Sequence, residues 1–290
     1  MSLKDNISRL YGERGLDWLT QVPTIVERLS AQWGLSELMP VDNMTYNYVL
    51  SGIQANQPII LKLGMDLPRL KHEAQVLNAF KGYGAVRILA SDTGALLMER
   101  AVPGVSLRSF FPKEDLEAVE VVCQVMKKLH QAPLNRNNNF AQVDDWLLAI
   151  DHAAQIPSPI LVKARKLRDN LIGTSGPKVL LHGDLHHDNI LKHGDDWIVI
   201  DPKGVIGERT YEIAAFIRNP VRELLSMDNA HEIIVRRINH FAQCADLDPK
   251  RIQDWCFVQS VLSWCWALED GIDADYFARL TKILQTVVRQ

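Results

Sequence analysis

Few of the 290 residues announce a partner. The four cysteines, Cys123, Cys244, Cys256 and Cys265, lie far apart or on helix-like segments with no Cys-x-x-Cys pair. That sets aside a redox or metal pair and predicts buried, reduced thiols in a cytosolic protein. Basic excess is also missing: 32 Lys and Arg stand against 35 Asp and Glu, a formal charge of -3. A nucleic-acid binder would gather positive charge on one face. The most apolar late stretch, residues 255–268, is short and interrupted by Gln259, Ser260 and Ser263, so it spans no membrane. The opening residues, MSLKDNISRLYGERG, lack the apolar centre of a signal peptide. No repeat or low-complexity tract is present, which excludes a solenoid. These absences predict a cytoplasmic protein without nucleic-acid or membrane partners, and they fix no oligomeric state.

What is present is a core. A 47% hydrophobic and 23% charged composition is that of a folded globular protein, and the length allows two lobes sharing a cleft or two small domains. Residues 16–33 read as an amphipathic helix started or interrupted at Pro23. Strands are predicted at Tyr46–Leu50 and Ile59–Leu63, joined by the turn-rich SGIQANQP. A helix follows over Leu67–Phe80, then strands over Val86–Ala90 and Ala95–Glu99. This succession predicts a small, mostly antiparallel sheet with one helix on it. Residues 100–107, with Pro103 and Gly104, read as a connector. Helical patterns then dominate, near 114–131, 143–154, 158–172, 208–218, 228–245, 248–268 and 273–288. The exception is 178–201, where short strands frame a loop. The predicted division is 1–101 and 102–290.

That exception carries the chemistry. In HGDLHHDN, residues 182–189, Asp184 sits in a loop five positions before Asn189, and Asp201 ends the apolar run 197–200. A hairpin of strands 190–193 and 197–200 would bring Asn189 and Asp201 to one mouth, with Asp184 nearby. An amide oxygen and a carboxylate suit Mg²⁺, a hard cation that takes few protein ligands and keeps phosphate and water for the rest. A second carboxylate, held off the metal, can take a proton from an attacking hydroxyl. Phosphoryl transfer needs that layout, because positioning and charge neutralisation do most of the catalysis. A rival reading makes His182, His186, His187 and Asp188 a transition-metal cluster, although adjacent histidines do not easily face one ion.

His-Gly-Asp-x-x-x-x-Asn followed by a strand-terminal Asp resembles the catalytic loop and metal-binding Asp of aminoglycoside phosphotransferases. The longer string, LLHGDLHHDNIL with WIVIDPKGVIGERTYEIAAF, resembles more narrowly their streptomycin and hydroxyurea phosphotransferase branch. The similarity covers roughly residues 38–270 and is strongest over 180–216. It implies a two-lobed α+β protein-kinase-like fold, a small β-rich N-terminal nucleotide-binding lobe and a larger helical C-terminal lobe, with ATP and Mg²⁺ in the cleft. It further implies Asp184 as catalytic base, Asn189 and Asp201 as metal ligands, and His182 as a support of the loop.

The N-terminal half adds its own evidence. Lys62 ends the apolar run 59–63, and Glu73 lies on a predicted helix where Val76, Leu77 and Phe80 form its stripe. A carboxylate there needs a partner, and Lys62 with Glu73 matches the kinase-like phosphate-anchoring pair. No Gly-x-Gly-x-x-Gly is present; Asp42-Asn43-Met44-Thr45-Tyr46-Asn47 stands in its place, with backbone amides and the Thr45 hydroxyl as phosphate contacts. The stretch 98–101 resembles the kinase hinge, whose backbone at Glu99 and Ala101 would meet adenine.

Glu208, Arg209, Tyr211 and Glu212 suit a helix start. Trp255, Trp264 and Trp266 read as helix core. Glu269, Asp270, Asp273 and Asp275 form a solvated face or, at Glu269 and Asp270, a receptor for a cationic acceptor. The expected activity is ATP-dependent phosphorylation of a small-molecule hydroxyl, on an aminoglycoside in antibiotic resistance. The alternatives are a housekeeping sugar or amino-alcohol kinase and a nucleotide-sensing module without turnover. The module is disfavoured because Lys62, Glu73, Asp184, Asn189 and Asp201 are all in place.

Overall fold

Helix α1 (Leu3–Tyr11) starts where Ser2 Oγ accepts the Asp5 N–H at 3.2 Å and Asp5 returns the contact at 2.9 Å, a reciprocal capping box. The computed structural model that shows this describes residues 2–42, 44–134 and 139–287. Helix α2 (Glu13–Trp33) runs unbroken through Pro23. The expected interruption is overruled by packing, because Val22 and Leu29, with Trp18, Ile25, Val26 and Trp33 beside them, bury one face on the sheet. The helix ends at Gly34 in the left-handed conformation.

Strands β1 (Leu35–Pro40), β2 (Tyr48–Gln54) and β3 (Gln57–Leu63), helix α3 (Leu67–Ala79), and strands β4 (Ile88–Asp92) and β5 (Ala95–Glu99) complete the first unit. The sheet is antiparallel, in the order β1-β2-β3-β5-β4. The β2–β3 hairpin turns on Ala55 and Asn56, both at positive φ, as a two-residue loop between right-twisted strands requires. Strand β2 outruns its expected end and passes through Gly52, where a Cβ would meet Leu38 Cδ2 at 2.4 Å. Strand β1 was not expected: a register shift between Ser36 and Met39, with Glu37 at φ 54, hides its two-residue period.

By internal contacts the chain forms two units, Met1–Lys81 with Ala85–Gly104, and Gly82–Gly84 with Val105–Gln290. Strand β6 (Pro103–Ser106) occupies the expected connector and carries the chain into the second unit. That unit holds α4 (Asp115–Leu129), β7 (Ala141–Gln142), α5 (Val143–Leu147), α6 (Ala149–His152), α7 (Ser158–Gly173), β8 (Lys178–Leu181), β9 (Ile190–His193), β10 (Asp196–Val199) and β11 (Val205–Glu208). It continues through α8 (Arg209–Ile217), α9 (Glu223–Ser226), α10 (Ala230–Ala245), α11 (Pro249–Glu269) and α12 (Asp275–Val287). Two three-stranded sheets, β10-β9-β6 and β7-β11-β8, frame the 182–189 loop.

Helix α11 is buried nearly all round, as a helix packed against α7, α8 and α12 must be. The bidentate Arg237–Asp115 pair, at 2.6 and 2.8 Å, ties α10 to α4. Arg237 also donates to the carbonyls of Phe216, Ile217 and Asn219, closing the C-terminal end of α8. Buried thiols are found at Cys256 and Cys265; Cys123 is half-buried and Cys244, at the end of α10, is exposed, which corrects the expectation for these two. Trp255 is core, whereas Trp264 and Trp266 are only partly buried. No helix among the described residues is long and apolar enough to cross a membrane.

Candidate active site

The loop after β8 is built around His182, which is fully buried. Its Nε2–H donates to the Ile200 carbonyl at 2.8 Å, leaving Nδ1 to accept the Asp184 N–H at 3.2 Å. Its own carbonyl accepts the N–H groups of Lys203 and Gly204 at 2.8 and 3.0 Å. One imidazole and its peptide thus clamp the Asp184 loop to the Asp201 loop. Burial lowers the pKa of His182, so the ring is neutral and serves as a brace.

Asp184 is a quarter exposed. Its Oδ1 accepts from Arg218 Nη2 at 3.2 Å, while Lys203 Nζ and His186 Nε2 both stand 3.9 Å from Oδ2. Desolvation pushes its pKa upward, but the charges of His186, Arg218 and Lys203 outweigh it, and the net shift is downward. The carboxylate is ionised, as a proton acceptor must be.

Asn189 follows on a short turn and is buried. Its Nδ2 donates to the Asp184 carbonyl at 2.9 Å, so the amide oxygen is the atom it can offer an ion. Ile200 N–H donates to the Asn189 carbonyl at 3.0 Å. The paired strands β9 and β10, in register Ile190↔Val199, therefore bring Asp201 beside Asn189. Asp201 lies at φ 56, a left-handed conformation that Asp tolerates better than most residues. Hard oxygen donors, one neutral and one charged, fit Mg²⁺.

The transition-metal reading finds no support. Among the described residues no group of three or more His, Cys, Asp or Glu side chains could hold an ion. His187 turns into the core and stacks on Phe216 at 3.9 Å.

Two neighbours were undervalued in the sequence. Glu212, on α8, is 1% exposed and accepts the N–H of His182 at 2.7 Å and of Gly183 at 2.9 Å. Reading it as a helix-start charge missed that contact, although a carboxylate in so apolar a helix was a signal. Arg218 went unremarked; it lies 34 residues from Asp184 and no local motif links them. Glu208 is structural: buried, it takes Arg251 at 2.7 Å and the Trp255 indole N–H.

In the first unit, Lys62 Nζ lies 2.8 Å from both Glu73 oxygens, with both residues buried. Strand β3 delivers the ammonium and α3 the carboxylate. Thr45 is exposed, and its carbonyl accepts from Asn6 Nδ2 at 3.0 Å; Asn43 lies outside the described residues. Glu99 ends β5 with its N–H given to the Arg87 carbonyl at 3.0 Å, so its own carbonyl is the group it can offer adenine; Ala101 is buried two residues on. Glu269 and Asp270 are exposed at the end of α11. Trp266, one turn earlier, packs edge-on against Trp146 at 5.8 Å. A Cβ on Gly183 would meet Trp146 at 2.9 Å, so the end of α11 connects through two indoles to the residue before Asp184.

A family model described as aminoglycoside/hydroxyurea antibiotic resistance kinase matches residues 33–271. The chain is 30% identical to a streptomycin 3''-kinase of Klebsiella pneumoniae, over 84% of this chain and 92% of that protein. It is 26% identical to a streptomycin 6-kinase of Streptomyces griseus, over 94% and 91%. Among solved structures, an aminoglycoside phosphotransferase APH(4)-Ia variant in complex with ADP and hygromycin B superposes with a TM-score of 0.68 at 18% identity. That match covers 92% of this chain and 98% of the other, and marks the protein-kinase-like α+β fold.

Proposed function

The chain belongs to the aminoglycoside/hydroxyurea antibiotic resistance kinase family, and from that membership we propose that it transfers the γ-phosphoryl group of ATP to a hydroxyl of a streptomycin-like aminoglycoside. The observation that carries the reading is the clamped loop, in which an ionised Asp184 sits one hydrogen bond from Asn189, with Asp201 beside them.

In this reading the acceptor O–H gives its proton to Asp184 as its oxygen bonds to the γ-phosphorus. The bond from that phosphorus to the β–γ bridging oxygen breaks, and ADP leaves. Asn189 Oδ1 and the Asp201 carboxylate would hold Mg²⁺, which would neutralise phosphate charge when bound. Lys62, kept in place by Glu73, anchors the phosphates; the Thr45 segment covers them, and the Glu99 and Ala101 backbone receives adenine. Glu269 and Asp270 attract the cationic acceptor.

The test is a phosphoryl-transfer assay over streptomycin, other aminoglycosides, sugars and amino alcohols. Streptomycin should lead the panel, and Asp184→Asn should lower kcat by at least ~10²-fold while leaving ATP binding intact. Calorimetry should show that Asp201→Ala weakens Mg²⁺-dependent nucleotide binding. A neutral sugar as preferred acceptor would replace the aminoglycoside with a housekeeping substrate. Nucleotide binding without turnover on any acceptor would make the chain a sensor.

A further inference from the structure

Arg218 caps the C-terminal end of α8 with its side chain 13% exposed. Its position is fixed from three directions. Nη1 donates to Gln259 Oε1 at 2.9 Å, and Gln259, buried in mid-α11, in turn donates to the Tyr211 carbonyl at 2.5 Å. The Tyr276 hydroxyl on α12 donates to the Arg218 carbonyl at 2.5 Å. Behind it, Arg237 closes the carbonyls of Phe216, Ile217 and Asn219. From this mount Nη2 reaches Asp184 Oδ1 at 3.2 Å. The two carboxylate oxygens are consequently unlike. Oδ1 is engaged by a guanidinium, whereas the two groups facing Oδ2, Lys203 Nζ and His186 Nε2, stand at 3.9 Å, outside hydrogen-bond distance.

We propose that Arg218 is the positioning residue for Asp184: it holds Oδ1, leaves Oδ2 as the atom that takes the acceptor's proton, and links the base to α11 and α12. This rests on the reading of Asp184 as the base. A carboxylate on a single-bonded stem turns freely unless one oxygen is engaged, and a charge-assisted hydrogen bond from an immobile Arg engages it strongly and directionally. Proton transfer is sensitive to such placement, since a displacement of about 1 Å can lower a rate by ~10²-fold. Arg218 touches neither reacting atom in this scheme and acts through Asp184 alone.

A double-mutant cycle on the full chain tests it, with streptomycin and Mg²⁺–ATP, and with slow ATP hydrolysis by water as a second acceptor. Arg218→Gln should lower kcat by ~10–10²-fold with the ATP KM within about twofold of wild type, because the lost contact is made for the reacting geometry. Arg218→Lys, which keeps the charge, should restore about a tenth or more of the wild-type kcat and serves if the Gln variant fails to fold. In an Asp184→Asn background the Arg218 change should have little further effect, since residues acting as one unit are not additive. An equal fold-loss in both backgrounds, or wild-type kcat in Arg218→Gln, overturns the proposal and leaves Arg218 as a tie between helices. Full turnover by Asp184→Asn alone, or none by the wild-type protein with either acceptor, overturns the base assignment beneath it.

Discussion

Glu212 Oε2 accepts the His182 N–H at 2.7 Å, and the same carboxylate takes the next N–H, from Gly183, at 2.9 Å. Gly183 is at φ 81, where other residues are strained, so the loop turns on this glycine, and the two N–H groups leading into the turn are pinned. The His130 ring lies 3.5 Å from the same carboxylate. Glu212→Gln puts an amide N–H₂ where one of two acceptors stood, leaving a buried N–H unsatisfied. Stability should fall by about 1–3 kcal/mol, and kcat should fall by at least ~10-fold as the loop shifts. Denaturant midpoints and steady-state rates check the pair; an unchanged kcat in a folded variant would separate Glu212 from the loop's geometry.

Lys62 and Glu73 are buried partners, and removing one takes an ionic partner from the other. Lys62→Ala should destabilise by about 3–5 kcal/mol, the usual consequence of breaking a buried ion pair. Replacing both, Lys62→Met with Glu73→Leu, should regain much of that stability, because well-packed apolar residues substitute adequately for a buried pair. It should not regain activity if the ammonium anchors phosphate. Thermal melts and the ATP KM on the three proteins decide it, and activity in the apolar double variant would reduce the pair to architecture.

The Lys62–Glu73 pair was legible because a charge on the apolar stripe of α3 demands a partner, and strand β3 carried a single candidate. The local fold of 178–201 was legible because short apolar runs flank the polar loop, and strands β8, β9 and β10 stand where those runs lie. Arg218 and Gln259 were not: they reach Asp184 and Tyr211 across 34 and 48 residues, and the packing of α8 against β8 and α11 brings them near. Strand β11 escaped notice because four residues ending in Glu208 have too little period to read, and its identity comes from pairing with β8 and β7. Pro23 misled for the opposite reason, since a local breaker yielded to the apolar face of α2.

His187 supplies a pH dependence. It is fully buried, both ring nitrogens lack partners, and burial, followed by the Arg237 charge, holds its pKa well below the ordinary value. The folded protein keeps this ring neutral, while the unfolded chain protonates it below its ordinary pKa of about 6.5. The unfolded state then binds more protons, so stability falls as pH drops below about 6.5, by up to about 1.4 kcal/mol per pH unit for this one group. His187→Phe keeps the stacking on Phe216 and removes the titration. Its stability between pH 7 and 5 should fall less steeply than wild type. Parallel slopes would assign the acid sensitivity to other groups.

Glu269 and Asp270 make the last expectation, and the physics of the helix end sharpens it. Carboxylates at the C-terminus of α11 oppose the helix dipole. They contribute nothing there to the helix, and neutralising them should leave stability unchanged or slightly higher. If they attract a cationic acceptor, Glu269→Gln with Asp270→Asn should raise the streptomycin KM several-fold at low salt and leave the ATP KM alone. The difference should shrink as salt rises, because exposed charges are screened beyond about 10 Å at 0.1 M ionic strength. The route from these residues to the catalytic loop runs through Trp266 and Trp146 to Gly183, so Trp266→Ala should raise the same KM without a salt dependence. Charge and shape at the acceptor are then told apart by the slope against salt. Equal streptomycin KM values for the neutralised and wild-type proteins at low salt would return Glu269 and Asp270 to the solvated surface.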